Sequence, residues 1–345
     1  MQPTQPLNPS GIMQIGLGFW PSKVLLTAVS AGLFTHLAKQ PLSRKEIKAL
    51  LNWNCMDRHA SDFLDTLFAL KFLKREGIND SAIYSNTDET NFFLDKEKPS
   101  YIGGILEMMN NRLFRFWANL DEGMKTGKLQ NEAADEGENL YEAIYKSPEK
   151  IREFVHAMTG IQMGNFIAFA TKFDFSKYKT LCDIGGSGAM LSIQVAMKNP
   201  HIICNNFDLP PIEAVAKENI NQFNLSDRIK TTIGDFFNDP FPKADVIVMG
   251  HILHNWSEEK KLILIKKAYD ALPEGGAFVA IENVIDNERS QNILGLTMSL
   301  NMLIETEEGF DYTHSDFENW TKQAGFKKAE QINLAGSSSA AIAYK

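Results

Sequence analysis

Cysteine is scarce. Cys55, Cys182 and Cys204 are the only three in 345 residues, far apart and in no CxxC or Cys/His ligand spacing, so neither a disulfide framework nor a zinc site is supported. Basic charge is in deficit as well: 35 Lys and Arg against 43 Asp and Glu give a net charge of -8 and a pI near 5.5. A nucleic-acid or anionic-membrane partner needs a basic footprint, and none is present. The opening MQPTQPLNPSGIMQIGLGFWPSKVLL lacks a basic n-region, and Pro21, Ser22 and Lys23 interrupt its apolar run, which argues against a secretory signal. No apolar run is expected to reach the roughly 18 residues that span a bilayer. The chain shows no internal repeat and no low-complexity tract. These absences predict a cytoplasmic protein with a small-molecule partner, no nucleic acid and no membrane.

What is present is ordinary for a folded protein. Hydrophobic residues make up 44% and charged residues 23%, near globular averages, and the length suits two domains. Residues 24–40 space apolar side chains helically and end before Pro41. Ser43 with Glu46 forms an S-x-x-E capping box for a second helix, and DRHASDFLDTLFALKFL reads as a third. A turn at Gly77 to Asp80 followed by a β-prone AIY completes a small wing, so the N-terminal region reads as a winged-helix module. Over residues 24–98 ten Lys/Arg face ten Asp/Glu. A neutral module is a poor DNA clamp, and dimerisation is the better reading. Residues 101–180 read as mostly helical, with Ser147-Pro148-Glu149 opening a long helix. Phe19 and Trp20 form an aromatic pair suited to packing locally or on a partner subunit.

From about residue 180 the pattern becomes alternating strands and helices, the signature of a parallel sheet covered on both faces. Strands are expected at TLCDIGG, HIICNNFDL, RIKTTIGDFF, DVIVMG and GGAFVAIENVI. Helices are expected at MLSIQVAMKN, PIEAVAKENINQF, EEKKLILIKKAYDAL and FENWTKQAGF, and KKAEQINLA with AAIAYK closes as an antiparallel hairpin. The expected division is 1–100 for the winged-helix-like dimerisation domain, 101–175 for a helical linker and 176–345 for the α/β domain.

Asp183-Ile184-Gly185-Gly186-Ser187-Gly188 lies between a buried strand and a helix, where α/β sheets bind ligands and glycines admit them closely. A dinucleotide fingerprint fails, because from Gly186 the run reads GSGAML with Leu191 at the third glycine position. Asp208, followed by Leu209, ends the next strand, where a carboxylate can accept from a ribose diol. Asp235 and Phe236 end the third, offering an acceptor for an adenine amino group and a ring for its face.

In order and position, DIGGSG, FDLP, GDFF and HILHNWSEEKK resemble the motifs of the O-methyltransferases that include plant caffeic acid, hydroxyindole and bacterial polyketide O-methyltransferases, over nearly the whole chain. The resemblance implies a Rossmann-like sheet that binds S-adenosylmethionine (SAM) and yields S-adenosylhomocysteine (SAH), behind an N-terminal dimerisation domain. Asp183, Gly185, Gly188, Asp208, Leu209, Asp235 and Phe236 are its expected cofactor residues. His254-Asn255-Trp256-Ser257 matches the family's H-D-W-S/D motif with Asn for Asp, which makes His254 the expected general base; neutral imidazole suits proton transfer near pH 7. Glu282 matches the carboxylate that orients the histidine. Asp311-Tyr312 replaces the Glu-Arg of a G-x-E-R-T pattern, so Asp311 is one methylene short. His251, Met158, Met163, Phe166, Met298, Asn301 and Met302 are expected by position to line the acceptor pocket. His36, His59, His156, His201 and His314 read as packing histidines. No metal is implied, since the acidic cluster of metal-dependent methyltransferases is not found. The expected activity is O-methylation of a hydroxyl, phenolic in kind, on an aromatic or polyketide-like metabolite by a homodimer. The alternatives are an enzyme of the same fold with other chemistry (N-methylation, decarboxylation or hydroxylation) and a non-catalytic winged-helix ligand sensor.

Overall fold

The computed structural model describes residues 7–98, 100–132, 147–306 and 308–345, with residue 153 described by its backbone alone. The part of the expected linker over 133–146 therefore lies outside the described residues. The chain divides into two compact units, Met1–Arg115 and Phe116–Lys345.

The first unit begins with α1 (Ser10–Gly16), α2 (Phe19–Ser30) and α3 (Leu33–Lys39), then β1 (Leu42–Ser43), α4 (Arg44–Leu50), α5 (Asp57–Ala69), β2 (Leu73–Glu76) and β3 (Ile83–Asn86). The single helix expected over 24–40 is two helices. Gly32 adopts φ +70 between them, a left-handed conformation that glycine accepts without a Cβ penalty and that no α-helix can continue through. The capping box forms as expected: Glu46 accepts from the Ser43 N–H at 2.7 Å and its own N–H donates to the Ser43 hydroxyl at 3.3 Å. The three strands pair antiparallel in the order β1-β3-β2, over a core of Val29, Leu33, Phe34, Ile47, Leu64 and Tyr84. Two short helices, α6 (Asp88–Phe93) and α7 (Gly103–Met108), follow.

Ser10–Ser30 is long and apolar enough to cross a membrane by length and composition, and mostly exposed. This corrects the expectation that no apolar stretch reaches such a length. The correction arises because Lys23 is the single charge in the stretch and Pro21 lies in the first turn of α2, where its missing N–H costs nothing.

The second unit opens with α8 (Leu120–Thr126) and α9 (Pro148–Lys172); Ser147 caps α9 by accepting from the Lys150 N–H, and proline sits at its first position. β4 (Thr180–Ile184), α10 (Met190–Lys198), β5 (Ile203–Asp208), α11 (Glu213–Gln222), β6 (Ile229–Ile233), β7 (Val246–Gly250), α12 (Glu258–Ala271), β8 (Ala277–Glu282), α13 (Ile293–Glu305), α14 (His314–Ala324), β9 (Lys328–Asn333) and β10 (Ser339–Tyr344) follow. The strands form one sheet in the order β6-β5-β4-β7-β8-β10-β9. β4 to β8 run parallel, while β10 lies antiparallel to both β8 and β9. This is the mostly parallel sheet with a C-terminal antiparallel hairpin that the pattern predicts. β8 is buried at all six positions, as a strand covered on both faces must be. α13 was not expected as a helix, because ILGLTMSLNMLIE is apolar on nearly every side and shows no clean 3.6-residue stripe.

Candidate active site

The parallel strands set the site. Their carboxyl ends carry, in spatial order, Asp208 on β5, the glycine turn after β4, the His251–His254 turn after β7, and Glu282 at the end of β8. Open α/β sheets bind ligands at such strand ends.

The turn after β4 is tightly wound. Gly185, Ser187 and Ala189 all have positive φ, at 68°, 47° and 62°. Two of these carry side chains, and such strain persists where surrounding structure fixes it, often at functional sites. A Cβ at Gly186 would lie 2.1 Å from Asn206 Oδ1 and 2.7 Å from the Asp183 carboxylate, so no larger residue fits. A Cβ at Gly188 would meet Val155 of α9 at 2.6 Å. Around this turn the Asp183 Oδ2, Asn206 Oδ1 and Ser187 Oγ atoms are buried without hydrogen-bond partners. Buried acceptors left open in this way match a ligand rich in donors and positive charge. Burial, reinforced by Asp208, pushes the Asp183 carboxyl up to about 8.

The Asp208 carboxylate accepts from the Ser187 N–H and the Leu209 N–H, each at 2.7 Å. Burial raises it to about 6 against these two N–H groups. Asp235, expected to end β6, lies in the turn just beyond it. Its two oxygens accept from the Phe237 N–H at 2.8 Å and the Asn238 amide at 2.7 Å, so it shapes its own turn. Phe236 and Phe237 pack edge-on against Trp256, with centroids 5.9 and 4.7 Å away. Lys267 of α12 fastens the same turn by donating to the carbonyls of Phe236, Phe237 and Asp239.

His254 sits in a short 3-10 turn, Leu253–Asn255, and is 4% exposed. Its Nδ1 is 3.4 Å from Asp311 Oδ1, an ion-pair distance short of a well-formed hydrogen bond, and neither Asp311 oxygen has a well-formed hydrogen bond. Glu282 instead accepts from the His254 backbone N–H at 3.1 Å. Asp311 thus faces the ring despite its shorter side chain, while Glu282, the expected orienting acid, meets the backbone of the turn that carries it. Burial opposes charge on His254, but the Asp311 and Glu282 carboxylates outweigh it and raise the imidazole above its usual 6.5. His251, at φ +54, brings its ring to 4.9 Å from that of His254; burial and this neighbour hold it well below 6.5, hence neutral.

The expected pocket residues lie on two helices. Met158, Met163 and Phe166 are half-buried on α9, the latter two against the core beside the sheet, and a Cβ at Gly250 would meet the Phe166 ring at 3.8 Å. Met298 and Asn301 are half-buried and Met302 buried on α13, which packs against the His254 turn. Asn301 accepts from Trp117 Nε1 at 2.8 Å. Lys261, absent from the sequence reading, is buried beside the histidine cluster.

A glycine turn and acidic strand ends for a nucleoside ligand, beside a buried histidine–carboxylate pair, define a group-transfer enzyme of the doubly wound α/β class. Comparison with known proteins makes this specific. A family model for an O-methyltransferase domain matches residues 117–327, and one for an O-methyltransferase dimerisation domain matches residues 13–96. The tetracenomycin polyketide synthesis 8-O-methyl transferase TcmO of Streptomyces glaucescens is 34% identical over 338 residues, covering 98% of this chain and 97% of its own. Human acetylserotonin O-methyltransferase is 30% identical over 313 residues, 90% of each chain. The crystal structure of human N-acetylserotonin methyltransferase in complex with SAM superposes with a TM-score of 0.89 at 28% identity, covering 100% of this chain and 99% of that one. The chain belongs to the O-methyltransferase family.

Proposed function

We propose that the protein is a homodimeric, SAM-dependent O-methyltransferase acting on a hydroxyl, phenolic in kind, of a small aromatic or polyketide-like metabolite. The observation that carries this reading is the buried His254 ring, whose Nδ1 faces Asp311 and whose Nε2 is thereby left to take a proton. The relatives at 34% and 30% identity are named for methylation of oxygen, which favours this chemistry over N-methylation, decarboxylation, hydroxylation or ligand sensing.

Asp208, the glycine turn with its open acceptors, and Phe236 would hold SAM. Bound there, SAM supplies a methyl group on a sulfonium, a carbon already activated for displacement. The protein's part is alignment and proton removal. His254 Nε2 receives the acceptor's hydroxyl proton, and Asp311 stabilises the imidazolium at Nδ1. Asp311 also lines an open cleft of about 630 Å³ with Glu258, Arg289 and Asp316. Met158, Met163, Phe166, Met298 and Met302 supply apolar, polarisable walls suited to a flat acceptor.

Calorimetric titration with SAH tests the reading. Binding in the micromolar range, absent for NAD, is the expected result; no binding of SAH sinks it.

The dimer follows from the first unit. Ile12, Ile15, Phe19 and Trp20 stand exposed on α1 and α2, Trp20 at 58%, forming an apolar face that a second copy would cover. Trp20→Glu is expected to shift the protein from dimer to monomer in light scattering at micromolar concentration. A wild type that is already monomeric, or that sediments with lipid vesicles, would refute this part.

A further inference from the structure

Lys261 is 0% exposed. It lies on the inward stripe of α12 with Leu264, Ile265 and Ala268, a position where an apolar residue would ordinarily fill the space. Its ammonium donates to the Trp256 carbonyl and stands 3.2 Å from the centre of the Phe310 ring and 5.7 Å from that of Trp320. A buried cation is costly unless compensated; Trp256 follows the turn that carries His254 and Phe310 precedes Asp311, so the ammonium stands beside the buried Glu282 and Asp311 carboxylates, 1% and 3% exposed, with no direct ion pair to either.

We propose that Lys261 is a positioning residue of methyl transfer: its ammonium balances one of the two buried carboxylates, so that His254 accepts a proton as the cluster passes from one net negative charge to neutrality. The proposal rests on the assignment of His254 as the base. The groups facing His254 are His251 on its own turn, Glu282 from β8, Asp311 and Tyr312 from the segment before α14, and Lys261 from α12. Glu258 adds a carboxylate near Lys261 at the exposed start of α12, where it accepts from Trp320 Nε1. His251 and Tyr312 are uncharged near neutrality, since burial lowers the first and, with Glu282, raises the second. Burial pulls Lys261 down to about 8, against Glu282, Asp311 and Glu258, which leaves it charged at pH 7. Without it, His254 faces two uncompensated carboxylates, is protonated more readily and is less available as a base.

The test is NMR titration of His254 in full-length, 15N-histidine-labelled protein, alongside pH profiles of kcat/KM. In Lys261→Met, of similar length and uncharged, the His254 midpoint is expected to rise by about one unit, a tenfold change in its proton affinity. The acid limb of kcat/KM should rise with it, and activity lost at pH 7 should recover near pH 9. Adding Glu282→Gln should return the midpoint toward the wild-type value. An unmoved midpoint, or a loss of turnover equal at every pH, overturns the proposal. If Lys261→Met does not fold, Lys261→Gln, which keeps a donor for the Trp256 carbonyl without the charge, decides instead, because it must raise the midpoint in the same way. The titration requires no turnover, so failure of the O-methyltransferase reading would appear separately, as absent activity with the shift intact.

Discussion

Replacing His254 with alanine is expected to lower kcat by roughly 10²- to 10⁴-fold, the range attributed to a positioned general base, while SAH affinity stays within about twofold of wild type. The two outcomes separate because the histidine and the nucleoside-binding atoms occupy different strand ends. His254 follows β7 and meets Asp311, whereas Asp208 follows β5 and meets the glycine turn. The pH profile gives a second check. His254 must be neutral to accept a proton, and its carboxylates hold its pKa above 6.5. The acid limb of wild-type kcat/KM should therefore lie above 6.5 and disappear from the residual activity of His254→Ala. Loss of SAH binding together with kcat would show that the histidine only supports the fold.

The sheet was readable because its strands are short, apolar and separated by clear glycine turns; VIVMG and AFVAIE have no other place than a doubly covered sheet. Asp208 was readable at a strand end because an acidic residue closes a mostly apolar run just before a proline pair, whereas Asp235 falls two residues past the end of β6. Other features needed coordinates. Gly32 breaks a helix that periodicity alone continues, because a lone glycine costs a helix little unless its φ turns positive. α13 is apolar on nearly every side and carries no stripe. The approach of Asp311 rather than Glu282 to the His254 ring was hidden because spacing along the chain fixes neither which acid meets the ring nor which meets the backbone. Lys261 did leave a signal. With Leu264, Ile265 and Ala268 it sits three, four and seven residues along one face of α12, and a lysine on a helix's apolar stripe asks for a buried partner.

Asp208 carries the second large effect. A ribose diol donates two O–H groups, and the ionised carboxylate is the form that accepts both. Asp208→Asn should weaken SAH binding by roughly 10- to 100-fold, the scale of a lost hydrogen bond to a charged group. Because burial raises the free carboxyl to about 6, binding should also require release of a proton in acid. SAH affinity is expected to be flat above about pH 7 and to fall toward tenfold per unit below 6, the limit for one linked proton. The stability of the ligand-free protein runs the other way. A carboxyl raised on folding contributes stability fully below its unfolded value near 3.9, and this is lost as pH climbs through about 6. The gain in melting temperature on adding SAH should thus grow between pH 5 and pH 7. Asp183, pushed up to about 8 and coupled to Asp208, is the competing explanation. If Asp208→Asn keeps the pH dependence of SAH affinity, Asp183 is the titrating group and the ribose assignment of Asp208 fails; if the dependence vanishes with the affinity, the carboxylate at the end of β5 is the one that binds.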